Sequence, residues 1–224
     1  NALWLRSPAE VAAEALELIA EGDFKALKFR MGRERLSDDL ATAQALRDTL
    51  DDNIELMVDF NQGMDMAEAL SRCHAIDDLD LVWIEEPIIY NDFGGYAKLA
   101  SELKTPLQIG ENFYGVQDMY KALDAKACDL VMPDFMRIGG VTGWLQAAGL
   151  AAAANIPMST HLYPEVAAHV MRVTRTAHLL EWQDWAEAVL AEPYQVVKGK
   201  LEIPDRPGLG LDWDEEAVAR YQIE

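Results

Sequence analysis

The stretch Val82-Trp83-Ile84-Glu85-Glu86-Pro87 decides the reading of this chain. An apolar run with strand character leads into two adjacent carboxylates, and a proline closes it. A buried strand that ends in acids has a use for negative charge at its tip, because an unpaired buried carboxylate is costly. The same event occurs one unit earlier, at Leu56-Met57-Val58-Asp59, and one unit later, at Leu107-Gln108-Ile109-Gly110-Glu111. Positions 59, 85 and 111 are 26 residues apart at both steps (85 − 59 and 111 − 85). That interval holds a strand, a loop and a covering helix. Three carboxylates at equal intervals, each at the end of an apolar strand, predict one metal site built from three neighbouring strands.

Working outward, the same alternation runs through most of the chain. Apolar strands are expected at 2–5, 26–30, 56–61, 82–87, 107–112, 130–134, 156–161 and 178–182. Helical spacing separates them. Val11, Ala15, Leu18 and Ile19 follow Ser7-Pro8, a capping residue with proline at the first helical position, and Gly22 ends that helix. Ser37 is expected to cap a helix carrying Leu40, Ala43 and Leu46. Further helices are predicted around Met66–Cys73, over 96–103 and 116–123, from Gly139-Gly140 to Ala154, and over 165–171. Eight strands alternating with seven helices predict an α/β fold, a (β/α)7β TIM-like barrel. The barrel is expected over residues 1–191. Residues 192–224 read as a C-terminal tail, with a small hairpin around Gly199 and a short helix at 215–221. This tail replaces the eighth helix or packs on another element.

Composition narrows the partners. With 19 basic and 39 acidic residues, the 224-residue chain has a formal net charge of −20, which argues against nucleic acid and anionic membrane. No apolar run reaches the roughly 18 residues that a membrane span needs. Cys73 and Cys128 stand far apart and read as buried, reduced thiols, which predicts a cytoplasmic protein. A homo-oligomer is expected.

Several residues are placed to carry chemistry. Alternate strand residues share a face, so Lys28 and Arg30 should both point into the barrel, and Asn61 should follow Asp59 toward a substrate. Hard carboxylate oxygens without thiolates at Asp59, Glu85 and Glu111 select Mg²⁺. Asp134 and His161 close adjacent strands, so the carboxylate can orient the imidazole as a base. Glu181, at the end of the last strand, would donate to a developing oxyanion if protonated. Glu86 should alternate away from Glu85 and support the site from outside. His74, His169 and His178 read as structural. Gly139, Gly140 and Gly143 lack the dinucleotide spacing and any Walker lysine, so they read as a tight turn. Together these groups suit proton abstraction next to a carboxylate, with the metal stabilising the charge that develops.

These motifs carry a family resemblance. Val58-Asp59-Phe60-Asn61-Gln62, Trp83–Pro87, Gly110-Glu111-Asn112, Pro133-Asp134, 138–144, Ser159-Thr160-His161-Leu162 and Leu180-Glu181 resemble the mandelate racemase subgroup of the enolase superfamily. The resemblance implies that Asp59, Glu85 and Glu111 bind Mg²⁺ and that His161, oriented by Asp134, is a base. It also implies that Glu181 donates a hydrogen bond to an enolate oxygen and that Lys28 contacts a substrate carboxylate. The family's racemase has Lys-x-Lys on the second strand, where this chain has Lys28-Phe29-Arg30. Arginine holds its proton to a pKa above about 12 and is a poor base. An acid-sugar dehydratase, which works with one base, therefore fits a 2-hydroxy carboxylate substrate better than a racemase does. A truncated or catalytically silent barrel acting as a binding protein is the rival of another class. The family's N-terminal capping domain is missing from the sequence, and the tail would pack on it.

Overall fold

The computed structural model describes residues 2–222. Its centre is a parallel sheet of six strands in sequential order: Ala2–Leu3 (β1), Ala26–Arg30 (β2), Glu55–Asp59 (β3), Ile84–Glu85 (β4), Leu107–Ile109 (β5) and Leu130–Val131 (β6). Parallel bridges extend it from Val131 to Met158 and from Met158 to Ala177. The expected strands at 156–161 and 178–182 are thus bridge contacts rather than full ladders. Side-chain hydroxyls supply part of the pairing there. Leu179 N–H donates to Ser159 Oγ, and Glu181 N–H donates to Thr160 Oγ1.

Helices fill the crossovers: Pro8–Gly22 (α1), Leu36–Thr49 (α2), Met66–Ile76 (α3), Phe93–Glu102 (α4), Val116–Asp124 (α5), Gly140–Ala154 (α6) and Pro164–Met171 (α7). Parallel strands in sequential order with helical crossovers make the TIM-like barrel that the pattern predicted. Ser7 and Glu10 form a reciprocal capping box at the start of α1. Asp65 and Asp92 cap α3 and α4. The Asp92 cap starts α4 at Phe93, earlier than the apolar spacing alone suggested. Ser37 is not a cap. Helix α2 starts at Leu36, and the buried Asp39 carboxylate takes the loop N–H groups of Gly32 and Arg33.

Strand alternation sorts the side chains by face. Phe29, Val58, Ile84, Ile109 and Val131 point outward and join the helices in one continuous core. Met57, Trp83 and Leu130 point inward and pack together as a floor. Lys28, Asp59, Glu85 and Gln108 share that inner face and are buried. Such double-sided burial is characteristic of parallel strands under helices. The glycine turn into α6 answers a packing demand. A Cβ on Gly143 would stand 1.9 Å from the Ile138 carbonyl oxygen.

The tail pairs Gln195–Val197 (β7) with Lys200–Glu202 (β8) as an antiparallel hairpin and ends in Glu215–Arg220 (α8). Its hairpin packs on the barrel itself. Gly199 N–H donates to the Gly22 carbonyl at the end of α1, and Tyr194 Oη meets His169 Nε2 of α7. A cavity of about 450 Å³ lies between the hairpin, these two helices and the inner strands. The tail is thus in contact with α1 and α7 of the barrel. Among the described residues, no helix is long and apolar enough to cross a membrane.

Candidate active site and metal centre

Register brings the first two acids together. Parallel pairing sets Arg30 beside Asp59, and Asp59 beside Glu85. The third step departs from the equal spacing, because Glu85 pairs with Gln108 rather than Glu111. Strand β5 ends at Ile109, so Glu111 lies beyond the ladder. Gly110, at φ +135°, turns the chain there. A side chain would be strained at this φ, and a Cβ would meet Met132 N at 3.0 Å. The turn brings Glu111 back over the barrel. One oxygen from each of Asp59, Glu85 and Glu111 lies within 4.8 Å of the others, and all three residues are buried.

Each carboxylate has one oxygen pinned by a neighbouring N–H. Asn61 N–H donates to Asp59 Oδ1 at 2.7 Å. Trp83 Nε1 donates to Glu85 Oε2 at 3.1 Å. Asn112 Nδ2 donates to Glu111 Oε1 at 3.2 Å. The donors fix how each carboxylate is turned. Asp59 Oδ2 is buried and has no aligned hydrogen bond. Arg30 Nη1 lies 2.6 Å from it, yet no N–H bond of Arg30 is aimed at it. Three oxygen donors, one of them orphaned, suit a hard divalent cation.

The sequence placed Lys28 and Arg30 on the inner face, and both are there. Lys28 Nζ is 2.9 Å from both Glu85 oxygens and 3.2 Å from Glu181 Oε1. Burial alone would lower the pKa of Lys28, but Glu85, Glu181 and Asp59 together raise it, so it stands as an ammonium. Burial pushes Glu85 upward, and Lys28 opposes it. The Arg30 guanidinium stacks 5.4 Å from the centre of the Trp4 ring.

His161 and Asp134 face each other across a parallel bridge. Asp134 Oδ2 is 2.9 Å from His161 Nδ1, while Asp134 Oδ1 accepts the N–H groups of Met136 and Arg137. Burial opposes ionisation of Asp134, but His161 and the Arg137 N–H outweigh it and lower its pKa. An ionised Asp134 draws the imidazole proton to Nδ1, which leaves Nε2 as the proton acceptor. Nε2 stands on the metal side, 3.4 Å from Glu111 Oε2.

Two expectations change. Strand β3 ends at Asp59 and Asn61 has φ +45°, so strand alternation does not carry the Asn61 side chain inward. What Asn61 supplies to the cluster is its backbone N–H. Glu181 is at the rim but stands as an acceptor. Burial disfavours its charge, yet Lys28 and His161 hold its pKa at about 2, and Leu162 N–H donates to its Oε2. In this arrangement Glu181 accepts hydrogen bonds, and the donor role would require it to take up a proton. Glu86 lies outside the cluster as expected, bonded to Asn112 and Gln62. His74 pairs with Glu102 on the exterior, and Ser159 Oγ meets His178 Nδ1 at 3.3 Å. Sequence reasoning gave Trp83, Asn112 and Arg137 no roles. The signal for Trp83 was its two-residue spacing from Glu85, which puts both on one face. Arg137 gave none, although it donates to the Glu111 carbonyl and to Asn112 Oδ1.

Comparison with known proteins places this geometry. A family model described as enolase C-terminal domain-like matches residues 10–217. The chain is 33% identical to 3,6-anhydro-alpha-L-galactonate cycloisomerase of Streptomyces coelicolor, across 96% of the chain and 60% of that protein. It is 29% identical to L-talarate/galactarate dehydratase of Salmonella typhimurium, across 98% of the chain and 55% of that protein. Among solved structures, an enolase from alpha proteobacterium bal199 with bound Mg²⁺ superimposes with a TM-score of 0.96 at 65% identity, covering 97% of this chain and 61% of that one. A Bradyrhizobium enolase complexed with magnesium and mandelic acid gives 0.94 at 43% identity, covering 100% and 62%. The chain spans little more than half the length of these relatives.

Proposed function

The chain belongs to the enolase C-terminal domain-like family, and from that premise we propose that it is the catalytic barrel of a Mg²⁺-dependent acid-sugar dehydratase. The observation that carries this reading is the convergence of the Asp59, Glu85 and Glu111 oxygens beside the His161–Asp134 pair. Mg²⁺ held by these three carboxylates would supply Lewis-acid stabilisation of the charge that develops on a substrate carboxylate. His161 Nε2 takes the α-proton of the 2-hydroxy acid, and Asp134 stabilises the imidazolium that results. The Lys28 ammonium, held by Glu181, adds positive charge on the inner wall. Arg30 adds a second cation. Neither cation is a base near neutral pH, which leaves one base on one face of the substrate.

That asymmetry favours dehydration, in which a single base removes the α-proton and, as the imidazolium, returns a proton to the β-hydroxyl, which leaves as water. The curated relatives named as acid-sugar dehydratases and cycloisomerases support the same substrate class. A racemase is the second reading, favoured by the mandelic acid bound to the 43% identical Bradyrhizobium protein. Four exposed apolar side chains, Trp4, Ile89, Tyr114 and Met136, lie in the loops that follow β1, β4, β5 and β6. The reading includes a homo-oligomer in the cytoplasm. The free, buried Cys73 and Cys128 support only its reducing compartment.

The test is a screen of acid sugars and aryl 2-hydroxy acids with the intact enzyme and Mg²⁺. Keto-acid formation from an acid sugar, abolished by His161→Asn, is expected. Stereochemical inversion without keto product would establish the racemase instead. Inactivity on every compound, with no α-proton exchange in D₂O, would refute both.

A further inference from the structure

We propose that Glu86 is a positioning residue that acts through Asn112 to set Glu111 for the metal and ties together the ends of β3, β4 and β5. This rests on the metal-centre reading above. Glu86 is a buried carboxylate whose partners are amides rather than cations. Asn112 Nδ2 lies 3.1 Å from its Oε1 and 3.0 Å from its Oε2. Gln62 Nε2 lies 3.0 Å from Oε2. The same Asn112 nitrogen donates to Glu111 Oε1, so one amide is shared between Glu86 and a member of the metal cluster. Arg137 holds the other end of that amide, at Asn112 Oδ1. Asn112 therefore has one rotational setting, and Glu111 inherits it.

The backbone adds to the link. Glu86 adopts φ +39°, a region sparsely populated by non-glycine residues, immediately before Pro87. In that conformation its carbonyl accepts the Gln62 N–H at 2.7 Å. The preceding carbonyl, of Glu85, accepts Phe60 N–H at 3.0 Å. Side chain and main chain of one residue thus bind the loop that follows Asp59 and the loop that carries Glu111, beside Glu85 itself. A carboxylate that only filled space would not need three amide bonds and a left-handed backbone. Groups that orient metal ligands typically contribute 10- to 100-fold in metal affinity.

Isothermal titration with Mg²⁺ on wild type, Glu86→Gln, Asn112→Ala and the double variant tests this, with thermal unfolding in the absence of added metal. In Glu86→Gln an amide NH₂ replaces one acceptor oxygen and opposes the NH₂ of Asn112 or Gln62. We expect each single variant to bind Mg²⁺ about 10-fold or more weakly, and the double variant to be little weaker than Asn112→Ala, because both act on one link. The unfolding midpoint of Glu86→Gln should move by only a few degrees. Additive losses would mean that Glu86 acts by charge alone and would overturn the proposal. So would unchanged affinity, with or without a lowered midpoint. If Glu86→Gln does not fold, Gln62→Leu removes the other amide partner and should weaken Mg²⁺ several-fold, whereas unchanged affinity would refute the link. Failure of wild type to bind Mg²⁺ would overturn the metal-centre reading itself, and the proposal with it.

Discussion

Asp134→Asn isolates the tautomer that the proposed base depends on. In the wild type, Asp134 Oδ1 accepts two backbone N–H groups, from Met136 at 2.8 Å and Arg137 at 2.9 Å. An asparagine must keep its carbonyl oxygen on those two donors, so its NH₂ takes the position of Oδ2, facing His161 Nδ1. The imidazole then accepts at Nδ1 and carries its proton on Nε2, where it cannot take another. Restoring the active tautomer sets donor against donor, at about 1–3 kcal/mol, and the charge-assisted bond to the imidazolium, worth about 1.5–3 kcal/mol, is lost as well. Together they give about 3–6 kcal/mol, or a fall of about 10² to 10⁴ in the exchange rate. The assay is α-proton wash-in from D₂O followed by NMR in the intact enzyme, with Mg²⁺ affinity as the control for the metal cluster. His161→Asn should abolish exchange, and Asp134→Asn should leave a measurable remnant. Exchange by Asp134→Asn within a few-fold of wild type would refute the orienting role and the assignment of Nε2 as acceptor.

Arg30→Lys replaces a guanidinium with a compact amine; the Lys28 ammonium lowers its pKa, and Mg²⁺ on Asp59 would offset the rise which that carboxylate causes. Exchange at a second substrate face should appear in the intact enzyme, read by whether the opposite epimer incorporates deuterium. Two-face exchange by the unmodified protein would instead favour the racemase. Glu181 has a folded pKa of about 2, against about 4.3 for a free glutamate. Because the folded value is the lower one, its contribution is present above about 4.3 and is lost as pH falls toward about 2, an effect on the order of 3 kcal/mol. Urea unfolding of Glu181→Gln between pH 3 and 5 should show a flatter pH dependence than wild type, and equal slopes would contradict the Lys28–Glu181 coupling. Burial pushes the thiols of Cys73 and Cys128 up to about 12. Both should resist a thiol reagent at pH 8 in the folded protein and react on unfolding. Rapid labelling of the native state would show that the helices covering them open readily.

The sequence by itself determined the architecture and named most of the candidate site residues. Apolar runs ending in acids, separated by helical spacing, identify parallel strands under helices, because only a barrel or doubly wound sheet buries such strands on both faces. Residue type then names the donors. The three carboxylates at 59, 85 and 111 that the structure brings together, and the paired His161 and Asp134, were legible as candidates because hard-metal and acid–base chemistry call for those side chains. Period-two alternation placed Lys28 and Arg30 on the inner face for the same local reason. The equal spacing of 26 residues was a less secure guide. It is register between Asp59 and Glu85, but at Glu111 it is a glycine turn after a short strand. Three things came only from the tertiary structure: the turn of each carboxylate, the pairing of Glu181 with Lys28, and the sharing of the Asn112 amide between Glu86 and Glu111. Each depends on which atoms from distant segments meet at about 3 Å in a buried site. Hydrogen bonds and charges there act over single ångströms, while sequence periodicity specifies only which face of an element a residue occupies.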